Sequence, residues 1–111
     1  MIVTETFFSV GVIDMQRATD FYTRALGATV AFATVQWTSL RIAGVRVGLA
    51  RDPAHAPTRT GLHFAVADLA AALAAIAAAN GRIATEPTEV APGVVIAEAV
   101  DTEGNTITLR A

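Results

Sequence analysis

The stretch "VGVIDMQRATDFYTRALG", residues 10–27, starts as a strand and ends as a helix. Phe7 to Ile13 alternates, with Phe8, Val10 and Val12 on one face and Phe7, Ser9 and Gly11 on the other. Asp14 is placed to cap the following helix, its carboxylate accepting from free N–H groups of the first turn. Phe21, Tyr22, Ala25 and Leu26 form the apolar stripe of that helix, and Gly27 is its stop. Three short strands then fit "ATVAFATVQ", "WTSLRIAG" and "VRVGLAR". The unit is βαβββ.

The same order recurs. "FAVADLAAALAAIAAANG", residues 64–81, repeats the strand, the Asp68 cap and a helix with Leu69, Leu73 and Ile76 inward, closed by Asn80-Gly81. An offset of 54 residues relates Asp14 to Asp68 and Gly27 to Gly81. Further on, "AGVRVGLAR" matches "EGNTITLRA" at an offset of 60, so the second copy carries six extra residues, expected around "TEPTEVAPG". A fixed offset is the mark of duplicated supersecondary units. One α+β domain over residues 1–111 follows, with modules at about 1–52 and about 60–111 and "RDPAHAPTRT" as linker. His55, in that linker, is expected to be exposed.

Composition narrows the function. Hydrophobic residues make up 53% of the chain, which rules against disorder. With no cysteine, disulfides, thiolate nucleophiles and zinc–thiolate sites are excluded. A net charge of −2 offers no electrostatic case for nucleic acid or an anionic membrane. No apolar run approaches the ~20 residues of a membrane span, and "MIVTETFF" lacks the basic flank of a secretion signal. A soluble, cytoplasmic protein is expected.

A paired βαβββ unit with Asp14, Phe21-Tyr22 and Leu26-Gly27, and with "VDTEGNTITL" before the end, resembles the vicinal oxygen chelate superfamily. That group holds glyoxalase I, extradiol dioxygenases, and fosfomycin and bleomycin resistance proteins. The resemblance spans essentially the whole chain. It implies an open eight-stranded cup, helices outside and a ligand cavity inside, and in many small members a homodimer.

Metal-binding members use inward ligands near the start and end of each unit. Carried over by register, those positions are Phe7, Gly61, Gly48 and Thr108. A phenyl ring, two glycines and one hydroxyl make no divalent-metal site, so no metal and no cofactor is expected. His63 lies two residues past Gly61, on the same strand face, and is expected in the cavity. It is read as a ligand contact, with an acid–base group, a relocated metal ligand or a satisfied structural histidine as alternatives.

Alternation in "WTSLRI" sends Leu40 and Ile42 toward the helix and Trp37, Ser39 and Arg41 inward. Trp37 beside Phe7 could stack on a planar ligand, although core or interface packing explains it equally well. Arg41 would need an anionic ligand or an acidic neighbour such as Glu98; a solvated surface arginine is the alternative. Glu98 sits in an apolar run and could pair with Arg41 or His63. The candidate ligand-binding set is therefore Phe7, Ser9, Trp37, Arg41, His63, Glu98 and Thr108, with no catalytic residue assigned. The resemblance then leaves open a metal-independent small-molecule binder of the bleomycin-resistance type, or a lyase, isomerase or dioxygenase using an atypical or metal-free site around His63. An accessory module with a filled cup is a third possibility.

Overall fold

The computed structural model describes residues 1–111. The elements run β1 (Phe8–Val12), α1 (Met15–Leu26), β2 (Thr29–Ala33), β3 (Trp37–Ile42), β4 (Val45–Arg51), β5 (Thr58–Ala65), α2 (Leu69–Ala78), β6 (Arg82–Ala91), β7 (Val94–Val100) and β8 (Asn105–Arg110). This is βαβββ twice, α+β in class. The eight strands are hydrogen-bonded as two sheets of four, ordered β1-β4-β3-β2 and β5-β8-β7-β6. In each sheet the first strand of the module pairs parallel with its last.

Local chemistry sets both helix starts in the same way. Asp14 accepts from the Arg17 N–H and Asp68 from the Ala71 N–H, each at 3.0 Å. The helix ends differ. Gly27 takes the left-handed conformation at φ 66°, as its lack of a Cβ allows. At the second helix the left-handed residue is Asn80, φ 72°, and not Gly81. Gly81 is required for space: a Cβ there would lie 2.6 Å from the Phe21 ring. The six extra residues do not make a loop either. They lengthen β6 to ten residues, against five in β2, and the β6–β7 register shifts three times to absorb them.

One face of each sheet is covered by helix. Val10, Val12, Leu40, Val47 and Leu49 of the first sheet and Leu62, Ala97, Ile107 and Leu109 of the second join Phe21, Tyr22, Leu73 and Ile76 in a single core. A polar knot ties the modules at the β7–β8 turn. Buried Asp101 accepts from the Tyr22 hydroxyl at 2.5 Å, from the N–H groups of Glu103 and Asn105, and from Asn105 Nδ2. Burial, and then the Asp101 charge, push the Tyr22 phenol well above its ordinary range. Glu103 reaches across to the start of α1, accepting from the N–H groups of Ile13 and Asp14 and from Arg17. His55, expected to be exposed in the linker, is half-buried. Its Nε2 lies 2.8 Å from Asn105 Oδ1, and Asn105 Nδ2 donates to the Gly11 carbonyl. Because Asn105 Oδ1 can only accept, His55 carries its proton on Nε2.

Candidate functional site

The sheet faces turned away from the helices carry every candidate residue, divided between the two sheets. On the first, Phe7, Ser9, Trp37, Ser39, Arg41, Arg46 and Gly48 share the open side, because Ser9 pairs with Gly48, Gly48 with Ser39, and Arg46 with Arg41. Phe32 pairs with Ser39 and joins them. Trp37 is anchored at the start of β3, where its N–H and carbonyl both bond Thr34. Its indole lies across Gly48: a Cβ at that glycine would fall 2.0 Å from indole Cζ2. The glycine is what lets the ring lie on the sheet.

Phe7 meets Trp37 edge to face, with ring centroids 6.4 Å apart and planes at 85°. The Arg46 guanidinium sits 4.7 Å above the Phe7 ring and is held there by Glu5 at 2.8 Å. Arg41 has no carboxylate partner; it reaches only the Gly44 carbonyl, at 3.4 Å. An aromatic platform thus stands on a sheet face that also holds an uncompensated guanidinium. Replacing Gly48 by valine is expected to lift the indole off the sheet and shift Trp37 emission to the red. Unchanged emission would mean that the ring is not seated on Gly48.

On the second sheet, a row crosses all four strands: His63 pairs with Thr108, Thr108 with Glu98, and Glu98 with Thr85. His63 is exposed and Thr108 is buried. Glu98 does not pair with Arg41 or His63. Arg41 belongs to the other sheet, and β8 separates Glu98 from His63, two strand spacings or about 10 Å. Glu98 is instead ion-paired to Arg59. Arg59 lies in the stretch expected to be linker, but β5 already begins at Thr58 and is bulged beyond it: five residues of β5, Arg59 to His63, lie against three of β8, Thr106 to Thr108. Gly61, at φ 77°, lies inside that bulge, and Arg59 and His63 on either side of it still share a face because their partners Thr106 and Thr108 do. Arg46 was legible, two residues before Gly48 on the same face, but carried no motif.

Strand register also relates the candidate positions of the two modules to each other. Gly48 faces Ser9 and Thr108 faces His63, so the equivalent cross-strand pairs of the two modules are Ser9–Gly48 and His63–Thr108. Phe7 and Gly61 lie outside them.

Two tandem βαβββ modules, each with one helix-covered and one open sheet face, define a recognisable class of protein. The chain belongs to the Glyoxalase/Bleomycin resistance protein/Dioxygenase superfamily, whose model matches residues 6–109. No curated protein is significantly similar to it in sequence. Among solved structures it is similar to the E126Q mutant of FosX, a fosfomycin resistance protein from Listeria monocytogenes, in complex with Mn(II) and 1S,2S-dihydroxypropylphosphonic acid. The TM-score is 0.82 at 16% identity, covering 100% of this chain and 91% of that one. It is similar to TioX from Micromonospora sp. ML1 at TM-score 0.72 and 20% identity, with 96% and 98% covered. The hypothetical protein SA1046 from S. aureus gives TM-score 0.79 at 17% identity, with 100% and 95% covered. Identities this low speak for the fold and not for the chemistry.

The residues of this chain do not suit an ion like that of the FosX complex. The positions expected by register, Phe7, Gly48, Gly61 and Thr108, offer a single hydroxyl, and their neighbours Ser9 and His63 add one hydroxyl and one imidazole, whereas a divalent transition metal wants several nitrogen or carboxylate donors. Nowhere do three or more His, Asp or Glu side chains cluster as ligands would. Glu98, the one carboxylate in the row, is committed to Arg59.

Proposed function

We propose that this protein is a metal-independent small-molecule binder, and that its ligand rests on the open sheet faces. The observation that carries the proposal is the pairing of a donor-poor row with an aromatic platform. Where a chelating member would present nitrogen and carboxylate donors, this chain presents Ser9 beside Gly48 on one sheet and a single imidazole, His63, beside Thr108 on the other. Beside them, Trp37 lies flat on Gly48 with Phe7 at its edge. Sequestration needs only apolar surface and a few polar anchors. Trp37 and Phe7 supply a stacking surface for a planar group, Arg41 an anchor for an anionic substituent, and His63, Thr108 and Ser9 hydrogen-bonding groups. The Glu98–Arg59 pair closes the row electrostatically.

The binding unit in this proposal is a homodimer, in the cytoplasm, with neither nucleic acid nor membrane as partner. Phe7 and Phe32 on the open face of the first sheet are 44% and 49% exposed, more apolar surface than one chain can cover. Sedimentation at micromolar concentration should give twice the chain mass; a monomer would remove this part of the proposal. No helix is long and apolar enough to cross a membrane.

Metal content decides the central point. Protein purified without chelator or nickel resin should hold well under one equivalent of any divalent transition metal by elemental mass spectrometry. Planar ligands should quench the single tryptophan whether or not EDTA is present. Near-stoichiometric metal, or quenching abolished by EDTA, would overturn the proposal and bring the lyase and dioxygenase chemistries forward.

A further inference from the structure

A second concavity lies on the opposite, helix-bearing side, where the two modules meet. Its volume is about 490 Å³, within the range of about 300–1,000 Å³ typical of small-molecule sites. Twelve of its fourteen lining residues are hydrophobic, and the other two are Gly61 and His63 of β5. Phe8 and Val45 come from the first sheet, Leu26 from α1, Leu62 and Phe64 from β5, and Ala72 from α2.

The duplication shows how the second-module wall of this space differs from its first-module counterpart. At the offset of 54 residues, Ala72 corresponds to Ala18, Phe64 to Val10 and Val66 to Val12. Those first-module positions are 0%, 5% and 0% exposed. Their second-module counterparts are only half-buried, because the cleft opens beside them. The alanine at position 72 leaves room that a larger side chain would fill. β1 and β5, the inner edge strands of their sheets, both border the cleft and are not paired to each other. The Gly61 bulge bends β5 there. Unpaired edge groups can meet one polar atom of an otherwise apolar molecule.

We infer that this cleft is a second ligand site, sharing only His63 with the residues assigned to the open sheet faces, and that it takes a neutral, largely apolar small molecule. The lining holds no carboxylate, ammonium or guanidinium to meet a charged ligand. The site stands whether or not the open faces bind anything.

Nile red, a neutral solvatochromic dye, tests it. The wild-type chain should bind the dye saturably, with a blue-shifted emission and near one dye per chain. Ala72→Phe and, independently, Ala25→Leu fill the cleft and should each weaken binding at least about tenfold, with circular dichroism unchanged. If Ala72→Phe does not fold, Ala25→Leu carries the test. Trp37→Ala, which strips the open-face platform, should leave the dye affinity unchanged. The inference is overturned by absence of saturable binding, by dye binding that survives both filled variants, or by loss of binding in Trp37→Ala. It is overturned too if filling the cleft dissociates a wild-type dimer, since a second copy would then be the occupant.

Discussion

Replacing Asp101 by alanine is expected to abolish most of the folding stability. The carboxylate is 4% exposed and collects four donors: the Tyr22 hydroxyl, two backbone N–H groups and Asn105 Nδ2. Removal strands all four where little water reaches. At roughly 1–3 kcal/mol for each unsatisfied buried donor, the loss exceeds about 4 kcal/mol, against the total of about 5–15 kcal/mol usual for a domain. Asn105 would also lose its orientation, and with it the bonds to His55 and Gly11 that join the modules. Urea unfolding should show Asp101→Ala largely unfolded without denaturant or far down in midpoint. Tyr22→Phe, which removes one donor and strands none, should cost only about 1–2 kcal/mol. If Asp101→Ala stays within 1 kcal/mol or so of wild type, the knot does not hold the modules together.

Acid should weaken the protein through Glu103. Its side chain is fully buried, and burial alone would raise its proton affinity. The hydrogen bonds from Arg17, the Asp14 N–H, the Thr102 hydroxyl and the Ile13 N–H outweigh that and hold the carboxyl at about 2, against an ordinary 4.5. A folded-state value below the unfolded one means that the native chain binds fewer protons. The contribution is therefore fully present above pH 4.5 or so, and is lost as pH falls from there toward 2. The size is about 3 kcal/mol. Unfolding free energy followed from pH 7 to pH 3 should decline over the lower part of that range. Glu103→Gln should be less stable at neutral pH and show a flatter acid limb. An equally steep limb in Glu103→Gln would assign the acid sensitivity to other carboxylates.

Both effects depend on residues whose local pattern was plain but whose partners were not. The motif "VDTEGNTITL" marked a turn before the last strand; that Asp101 would reach Tyr22, 79 positions earlier, was not visible. Nor was the Glu103 contact with the start of α1. Glu98 shows the same limit from the other side. Its oddity in an apolar strand was evident, yet its partner Arg59 lay in a Pro-rich stretch that reads as linker, and only the structure extends β5 back to Thr58. Trp37 was legible as facing away from the helix, because Leu40 and Ile42 identify the helix face. Its flat seat on Gly48 was not, since that depends on which residue of β4 comes alongside.

What the sequence by itself determined is whatever rests on short-range chemistry and on repetition. The order βαβββ twice, the Asp14 and Asp68 caps, the Gly27 stop, the helix-facing apolar rows and the shortage of metal donors all follow from residues within a few positions of one another, or from a fixed offset between copies. What only the tertiary structure decided is which distant side chains share a space. Strand register placed His63 against Thr108 and Ser9 against Gly48. The start of β5 at Thr58 brought Arg59 to Glu98. The meeting of two nearly equivalent modules closed the space beside Ala18 and left it open beside Ala72. Such contacts are set by the packing of whole elements, which satisfies many weak preferences at once and so is not encoded in any single stretch of chain.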